Sequence, residues 1–451
     1  MTAKQWLKVQ ADKVRKVDAI DPALYRKYGV KRGLRNDNGT GVLVGLTTIG
    51  NVHGYTIDEG ERQAIPGELF YRGINVKDIV QADKREHRFG YEETAYLLLF
   101  GELPTSRELV DWKNRIGSYR RLSDGFKENA IMKHPPKDLM NALARATLFA
   151  YAFDDENNPD DLSIERCLAQ SIGLIGAMPT IAAYAYQAKK HYHDNGSLMI
   201  RNPDPQKTTA ENILLLTRED GKYTKLEAEI LDLALILHAE HGGGNNSAFT
   251  THVVTSSHSD IYSSIAASIL SLKGARHGGA NLRVMRQMEE MQQNVKDWCD
   301  EKEVAHYLNR IADKKAGDGS GLIYGLGHAV YTISDPRAEM LKEKARALAK
   351  EKGREADLAL FELVEKLGPA IVKAHHPRAE DVCANVDLYS GLVYDMLGIP
   401  KDLYTPLFAV ARCVSWCAHR MEELVNEGPI IRPAYKPIYH PREYVALAKR
   451  T

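Results

Sequence analysis

Helical periodicity governs most of this chain. In KLEAEILDLALILHAE (225–240), Leu226, Ile230, Leu233 and Leu237 recur at three- and four-residue intervals and share one broad apolar face. The same pattern returns at 137–153, 161–189, 279–294, 336–350, 356–374 and 404–425. Strand signals are confined to VLVGLTTIG (42–50) and ELFYRGI (68–74), where β-branched and aromatic residues stand between glycines. A chain of 451 residues patterned in this way can bury a large core. The expected fold is all-α, with a minor N-terminal β element.

Polar, proline-rich or glycine-rich breaks at 155–161, 193–206, 314–327 and 376–380 separate the helical runs. The most apolar stretch, SIGLIGAMPTIAAYAY (171–186), is short for a bilayer and contains Pro179, so two buried helices are expected there and no membrane span. The first residues lack the apolar segment of a secretory signal, and aspartates at 12, 18 and 21 oppose an import peptide. Five cysteines, sparse and odd in number, suit reduced thiols and a cytoplasmic location. Lysine plus arginine and aspartate plus glutamate both total 60, so net charge gives no pull towards nucleic acid or an anionic membrane. Any anion has to be caught by a local cluster.

Three histidines occupy glycine-rich junctions between helical runs. His241 precedes a triple glycine in LHAEHGGGNNSAF, His277 stands among glycines in SLKGARHGGANLRVM, and His328 ends the glycine loop of SGLIYGLGHAVYTISDPRAEM. A ring just ahead of a helix start near Gly279 feels the positive end of the macrodipole, which disfavours imidazolium. A neutral imidazole can donate an N–H to an oxygen that gains charge as an enolate forms. The glycines let a bulky substrate approach the backbone. In CANVDLYSGLVYDML, Asn385 can cap the helix start, which leaves Asp387 as a spare first-turn carboxylate, kept ionised by the dipole and available as a general base.

Other chemistries fit poorly. His238 and His241 are three apart rather than four, and His375 and His376 are adjacent, so no metal site is expected. GSGLIYGLG (319–327) has no βαβ surroundings, so it is not a dinucleotide fingerprint and wraps some other ligand.

In chain order, LHAEHGGGNNSAF, GARHGGAN, GLGHAVYTISDPRA, NVDLYSGLVYDMLGIP, ARCVS and IIRPAY resemble the citrate synthase family. GELFYRGINVKDI and GYEETAYLLLFGELP extend the resemblance over about residues 40–440. It implies a two-domain helical homodimer, with a large domain formed by 1–277 and 387–451 and a small domain, 278–386, on the CoA side of a cleft. It further implies an acyltransferase of the tricarboxylic acid cycle, joining oxaloacetate to acetyl-CoA by a Claisen-type condensation and hydrolysing the citryl thioester.

By the same resemblance, Asp387 takes the methyl proton, His277 hydrogen-bonds the thioester oxygen, and His328 polarises or protonates the ketone of oxaloacetate. Arg337, Arg412 and, from a neighbouring subunit, Arg432 would hold the two carboxylates, since guanidinium forks match them bidentately. His241 adds a contact, Ser247 orients His277, and the loop holding Ile323, Gly325 and Gly327 wraps the CoA adenine. The CoA thioester is a substrate, and no separate cofactor is expected. Arg276, Leu282 and Ala384 depart from common family residues without removing a catalytic group. The neighbouring alternative is 2-methylcitrate synthase, using propionyl-CoA. A non-catalytic helical scaffold is the alternative from another class, opposed by the presence of His277, His328 and Asp387.

Overall fold

The computed structural model describes residues 1–59, 61–154, 158–377, 381–438 and 441–450. Residues 155–157 and 378–380, within two of the expected breaks, lie outside the described residues. The chain divides into a small unit, Met1–Leu46 with Thr56–Gln63, and a large one, Thr47–Tyr55 with Ala64–Thr451.

The small unit carries α1 (Ala3–Val17) and α2 (Pro22–Lys27). Thr2 and Gln5 form a capping box that starts α1. The large unit carries α3 (Val76–Glu86), α4 (Tyr91–Phe100), α5 (Ser106–Ser118), α6 (Leu139–Ala150), α7 (Ile164–His193), α8 (Thr209–Thr217) and α9 (Lys225–His238). It continues with α10 (Asn246–Thr255), α11 (Ile261–Lys273), α12 (Ala280–Asn294), α13 (Glu301–Ala312) and α14 (Pro336–Lys352). The last three are α15 (Glu355–His375), α16 (Val386–Met396) and α17 (Tyr404–Val425).

The fold is all-α apart from a three-stranded sheet of order β1 (Gly50–Asp58), β2 (Glu61–Tyr71), β3 (Ile74–Asn75). Strand β3 runs antiparallel to β2, with Phe70 opposite Asn75 and Tyr71 opposite Ile74. The first strand was expected at 42–50 and instead begins at Gly50. Residues 42–48 form no strand, and Leu43 and Leu46 are 84% and 89% exposed. Apolar composition marks a segment that can extend, but a strand exists only where a neighbour supplies hydrogen bonds, and β2 supplies them to 50–58.

A second correction concerns α7. The expected helix pair is one continuous helix of 30 residues that runs through Pro179. Proline forfeits one backbone hydrogen bond there, but Met178, Ile181 and Ala182 on either side are fully buried. Breaking the helix at that depth would strand several polar backbone groups away from water, which costs more. The helix is long and apolar enough to cross a membrane by length and composition, and its apolar residues are mostly covered by the rest of the protein.

Helix α17 is the central pillar. Apart from the partly buried Phe408, every residue from Tyr404 to Arg420 is buried, so it is enclosed on all sides. It packs on α4, α7, α9, α10 and α11. Helices α9 and α16 also touch, and α16 packs on α12 and α14. Helices α9, α12, α14 and α16 are thus linked in one cluster, and α9 and α12 also touch α17.

Candidate active site

Most of the expected residues enter from a helix end or a short loop, and Arg412 comes from the middle of α17. Helix α9 stops at His238 and the chain turns through His241 into the glycine run, where Gly242 takes a φ of +81° that only glycine tolerates freely. Helix α11 ends at Lys273, and the turn bearing His277 leads into α12, whose N-cap, Gly279, makes no side-chain cap. Asp335 caps α14 with Pro336 at the first helical position, which sets Arg337 in the first turn. Asn385 accepts the Asp387 backbone N–H at 3.0 Å and caps α16, so the Asp387 carboxylate is spare, as expected.

His328 and Asp387 share a support. Leu326 bridges Ala384 in an antiparallel pair, Gly327 donates its N–H to the Cys383 carbonyl, and the Asn385 amide donates to the Gly327 carbonyl at 2.9 Å. The Gly325 carbonyl accepts from the Asn385 backbone N–H. Most backbone groups of Gly325 and Gly327 are therefore engaged within the protein, and the Ile323 side chain is buried in the core.

The tautomer of His328 follows from its partners. Its Nδ1 accepts backbone N–H groups from Val330 and Tyr331, both at 3.1 Å, so the ring proton sits on Nε2. Tyr331 stacks on this ring with centroids 4.7 Å apart, and His241 meets it edge to face at 4.9 Å. His277 Nε2 lies 3.1 Å from Ser247 Oγ, which also accepts the Trp416 indole N–H.

Charge is distributed unevenly. Arg337 is buried and its Nε and Nη2 form a fork on the buried Asp335 at 3.0 and 2.7 Å. Burial works against its charge, but Asp335 raises its pKa above the usual arginine value. Arg412 is 1% exposed, yet neither Nη1 nor Nη2 has a partner among the described residues. Its Nε donates to the His238 carbonyl, and its guanidinium stands 4.8 Å over the Phe408 ring. Burial lowers it to about 10. Both ring nitrogens of His238 and Nε2 of His241 are likewise buried without partners among the described residues.

The histidines stay neutral. Burial and then Arg412 hold His277 at about 4; the dipole expected to do this is not the leading cause. Burial and then Arg337 push His238 and His241 well below the ordinary value. Asp387 corrects the expectation that the helix dipole fixes its charge. Burial raises it to about 6, with Arg337 pulling the other way. It is a carboxylate at neutral pH, with a basicity suited to taking a proton.

The structure gathers His241, His328, Arg337 and Arg412 closely, and His277 and Asp387 lie within their electrostatic reach. Arg432 is placed elsewhere, exposed in the segment after α17. Residues not anticipated as part of the site are Tyr331, Asp335, Phe408 and Trp416. Asp335 was legible in SDPR as a cap followed by proline. The others touch the site only through tertiary packing.

This geometry can hold a small polyanion on Arg412 and its neighbours, donate a proton from His328 Nε2, and accept one at Asp387. The profile described as "Citrate synthase, C-terminal domain" matches residues 38–434. A citrate synthase of Haloferax volcanii is 31% identical over 411 residues, covering 90% of this chain and 94% of its own. A 2-methylcitrate synthase of Corynebacterium glutamicum is 32% identical over 371 residues, 81% of this chain and 87% of its own. Among solved structures, a citrate synthase of Thermoplasma acidophilum in ternary complex with carboxymethyl coenzyme A and oxaloacetate is similar at a TM-score of 0.75 and 28% identity, covering 93% of this chain and 99% of its own.

Proposed function

The chain belongs to the citrate synthase family, and from that premise we propose that it condenses oxaloacetate with acetyl-CoA and hydrolyses the citryl thioester to citrate and CoA. It is an enzyme of the transferase type that this family comprises. The Thermoplasma relative was solved with carboxymethyl coenzyme A and oxaloacetate, which supports the same pair of ligands here.

The observation that carries the reading is Arg412, a buried guanidinium with two unpaired terminal nitrogens. Glu240 lies close enough to offset part of its charge, but buried donors are left open where a ligand completes them. A dicarboxylate does so, with Arg337 and the donors of His238 and His241 nearby. Asp387 then removes a methyl proton from the acetyl thioester. His277 donates Nδ1–H to the thioester oxygen as the enol forms, which requires Ser247 to turn its hydroxyl proton from Asn245 Oδ1, where it is donated at 2.9 Å, towards Nε2. The enol carbon bonds to the ketone carbon of oxaloacetate while His328 Nε2–H protonates the ketone oxygen. Water then cleaves the citryl thioester, and the CoA sulfur leaves as a thiol.

Closure of segment 278–386 over the substrates excludes water until condensation is complete. A homodimer completes the site with Arg432 of a second copy. The CoA thioester is consumed as substrate, with no resident cofactor.

A second reading, propionyl-CoA to 2-methylcitrate, is favoured by the 2-methylcitrate synthase at 32% identity. One methylene is worth about 1–3 kcal/mol in a pocket. Thiol release from each acyl-CoA in the presence of oxaloacetate tests both. Higher kcat/KM with acetyl-CoA is expected, and a strong propionyl preference transfers the protein to the second reading.

A further inference from the structure

Behind the loop 242–244, two imidazoles and a carboxylate converge outside the site described above. His252 on α10 and His419 on α17 are 167 residues apart in sequence, yet His252 Nε2 and His419 Nδ1 face each other at 3.2 Å. Glu422, one turn beyond His419, places Oε2 3.8 Å from the same Nδ1, and the three ligand atoms lie within 4.8 Å of one another.

Three further features describe a prepared site. First, each imidazole is held on its outer nitrogen by a carboxylate: Glu423 on His252 Nδ1 at 2.8 Å and Glu240 on His419 Nε2 at 3.2 Å. Carboxylates in those positions fix a metal-binding ring with its inner nitrogen free as a lone pair. Second, Glu422 Oε1 takes the backbone N–H and hydroxyl of Thr48 at 2.6 and 2.9 Å, while the buried Oε2 has no hydrogen-bond partner among the described residues. Third, Gly243 borders the pair directly, its Cβ position lying 3.4 Å from His419 Cε1 and 3.7 Å from His252 Nε2.

We infer that His252, His419 and Glu422 bind one divalent transition-metal ion with the nitrogen and oxygen preference of zinc. Two nitrogens at about 2.05 Å from a tetrahedral centre are roughly 3.3 Å apart, close to the observed 3.2 Å. The carboxylate oxygen, 3.8 Å from His419 Nδ1 and within 4.8 Å of His252 Nε2, has to close by about half an ångström on the first and by up to about 1.5 Å on the second, a movement within reach of a glutamate rotamer. Charge agrees as well. Glu240, Glu422 and Glu423 surround the two rings, with Arg72 beside Glu422 and Arg412 beside Glu240 as the neighbouring cations. Without an ion, the inner nitrogens can meet only by sharing a proton. A divalent ion replaces the proton and ties α10 to α17. The expectation of no metal weighed only histidines near one another in sequence, and this pair is not.

The test is equilibrium dialysis of the chelator-stripped full-length protein against zinc, followed by metal analysis. It is run on the wild type, His252→Ala and Glu422→Gln, two positions at the rim that spare the fully buried His419. The expected result is one zinc per chain in the wild type and affinity at least tenfold weaker in both variants. Cobalt in place of zinc should give intense visible bands of tetrahedral coordination in the wild type alone. Zinc retention equal in wild type and His252→Ala, or no retention by the wild type, overturns the proposal.

Discussion

The Asn385 side chain donates to the Gly327 carbonyl at 2.9 Å while its oxygen caps the helix that begins with Asp387, so one amide positions both the base and the loop that ends in His328. Asn385→Ala should therefore lower turnover more than its structural cost suggests. Loss of the cap costs about 1 kcal/mol. A fall in kcat of tenfold or more, with a small change in Tm, is expected from steady-state kinetics and thermal denaturation. Unchanged kcat would separate the two residues from their shared support.

Asp387→Ala should reduce kcat by about 10²–10⁴-fold, the usual worth of a positioned general base, with little change in oxaloacetate affinity. Titration calorimetry with oxaloacetate and thiol-release kinetics read the two quantities separately. Near-wild-type turnover would show that the base lies elsewhere.

The two buried arginines should behave oppositely. Arg337→Met leaves Asp335 buried without its fork, at a cost of about 3–5 kcal/mol, and lowers Tm. Arg412→Met removes a guanidinium whose terminal nitrogens are unpaired, so Tm should hold near the wild-type value while oxaloacetate binding weakens by about 2–5 kcal/mol. Scanning calorimetry and ligand titration on both variants check this. An Arg412 variant that unfolds early but binds normally contradicts it.

Acid should inactivate through the carboxylate before the imidazole. Asp387, raised to about 6, must be ionised, whereas His277, lowered to about 4, remains neutral well below that. kcat/KM should fall as pH drops through about 6, to roughly a tenth at pH 5. Stability follows the same shifts with opposite signs. His277 contributes stability that is present above its ordinary pKa and lost as pH falls towards 4. The raised carboxyl of Asp387 instead costs stability as pH rises through 6. Asp387→Asn should accordingly have a higher Tm than the wild type at pH 7.5.

Ser247→Ala removes the hydroxyl between His277 and the Trp416 indole and leaves that buried N–H unpaired, a cost of about 1–3 kcal/mol. Turnover with acetyl-CoA should fall while oxaloacetate binding is retained. Ser247→Thr, which keeps a hydroxyl, should recover part of it. Equal activity in all three proteins excludes a role in orienting the ring.

What the sequence determined by itself is what short-range forces control. Apolar spacing marked helices such as α9, α14 and α17, Asn385 announced the cap of α16, and the glycines around His241, His277 and His328 marked where bare backbone meets a titratable ring. Tertiary structure decided the rest, because desolvation and pairing depend on neighbours in space. It moved β1 to the segment β2 could pair with and carried α7 through Pro179. It raised Asp387 against its helix dipole, occupied Arg337 with Asp335 while leaving Arg412 bare, and brought His252 to His419. No local pattern encodes which polar group will lose its water, since that is settled only when distant helices close around it.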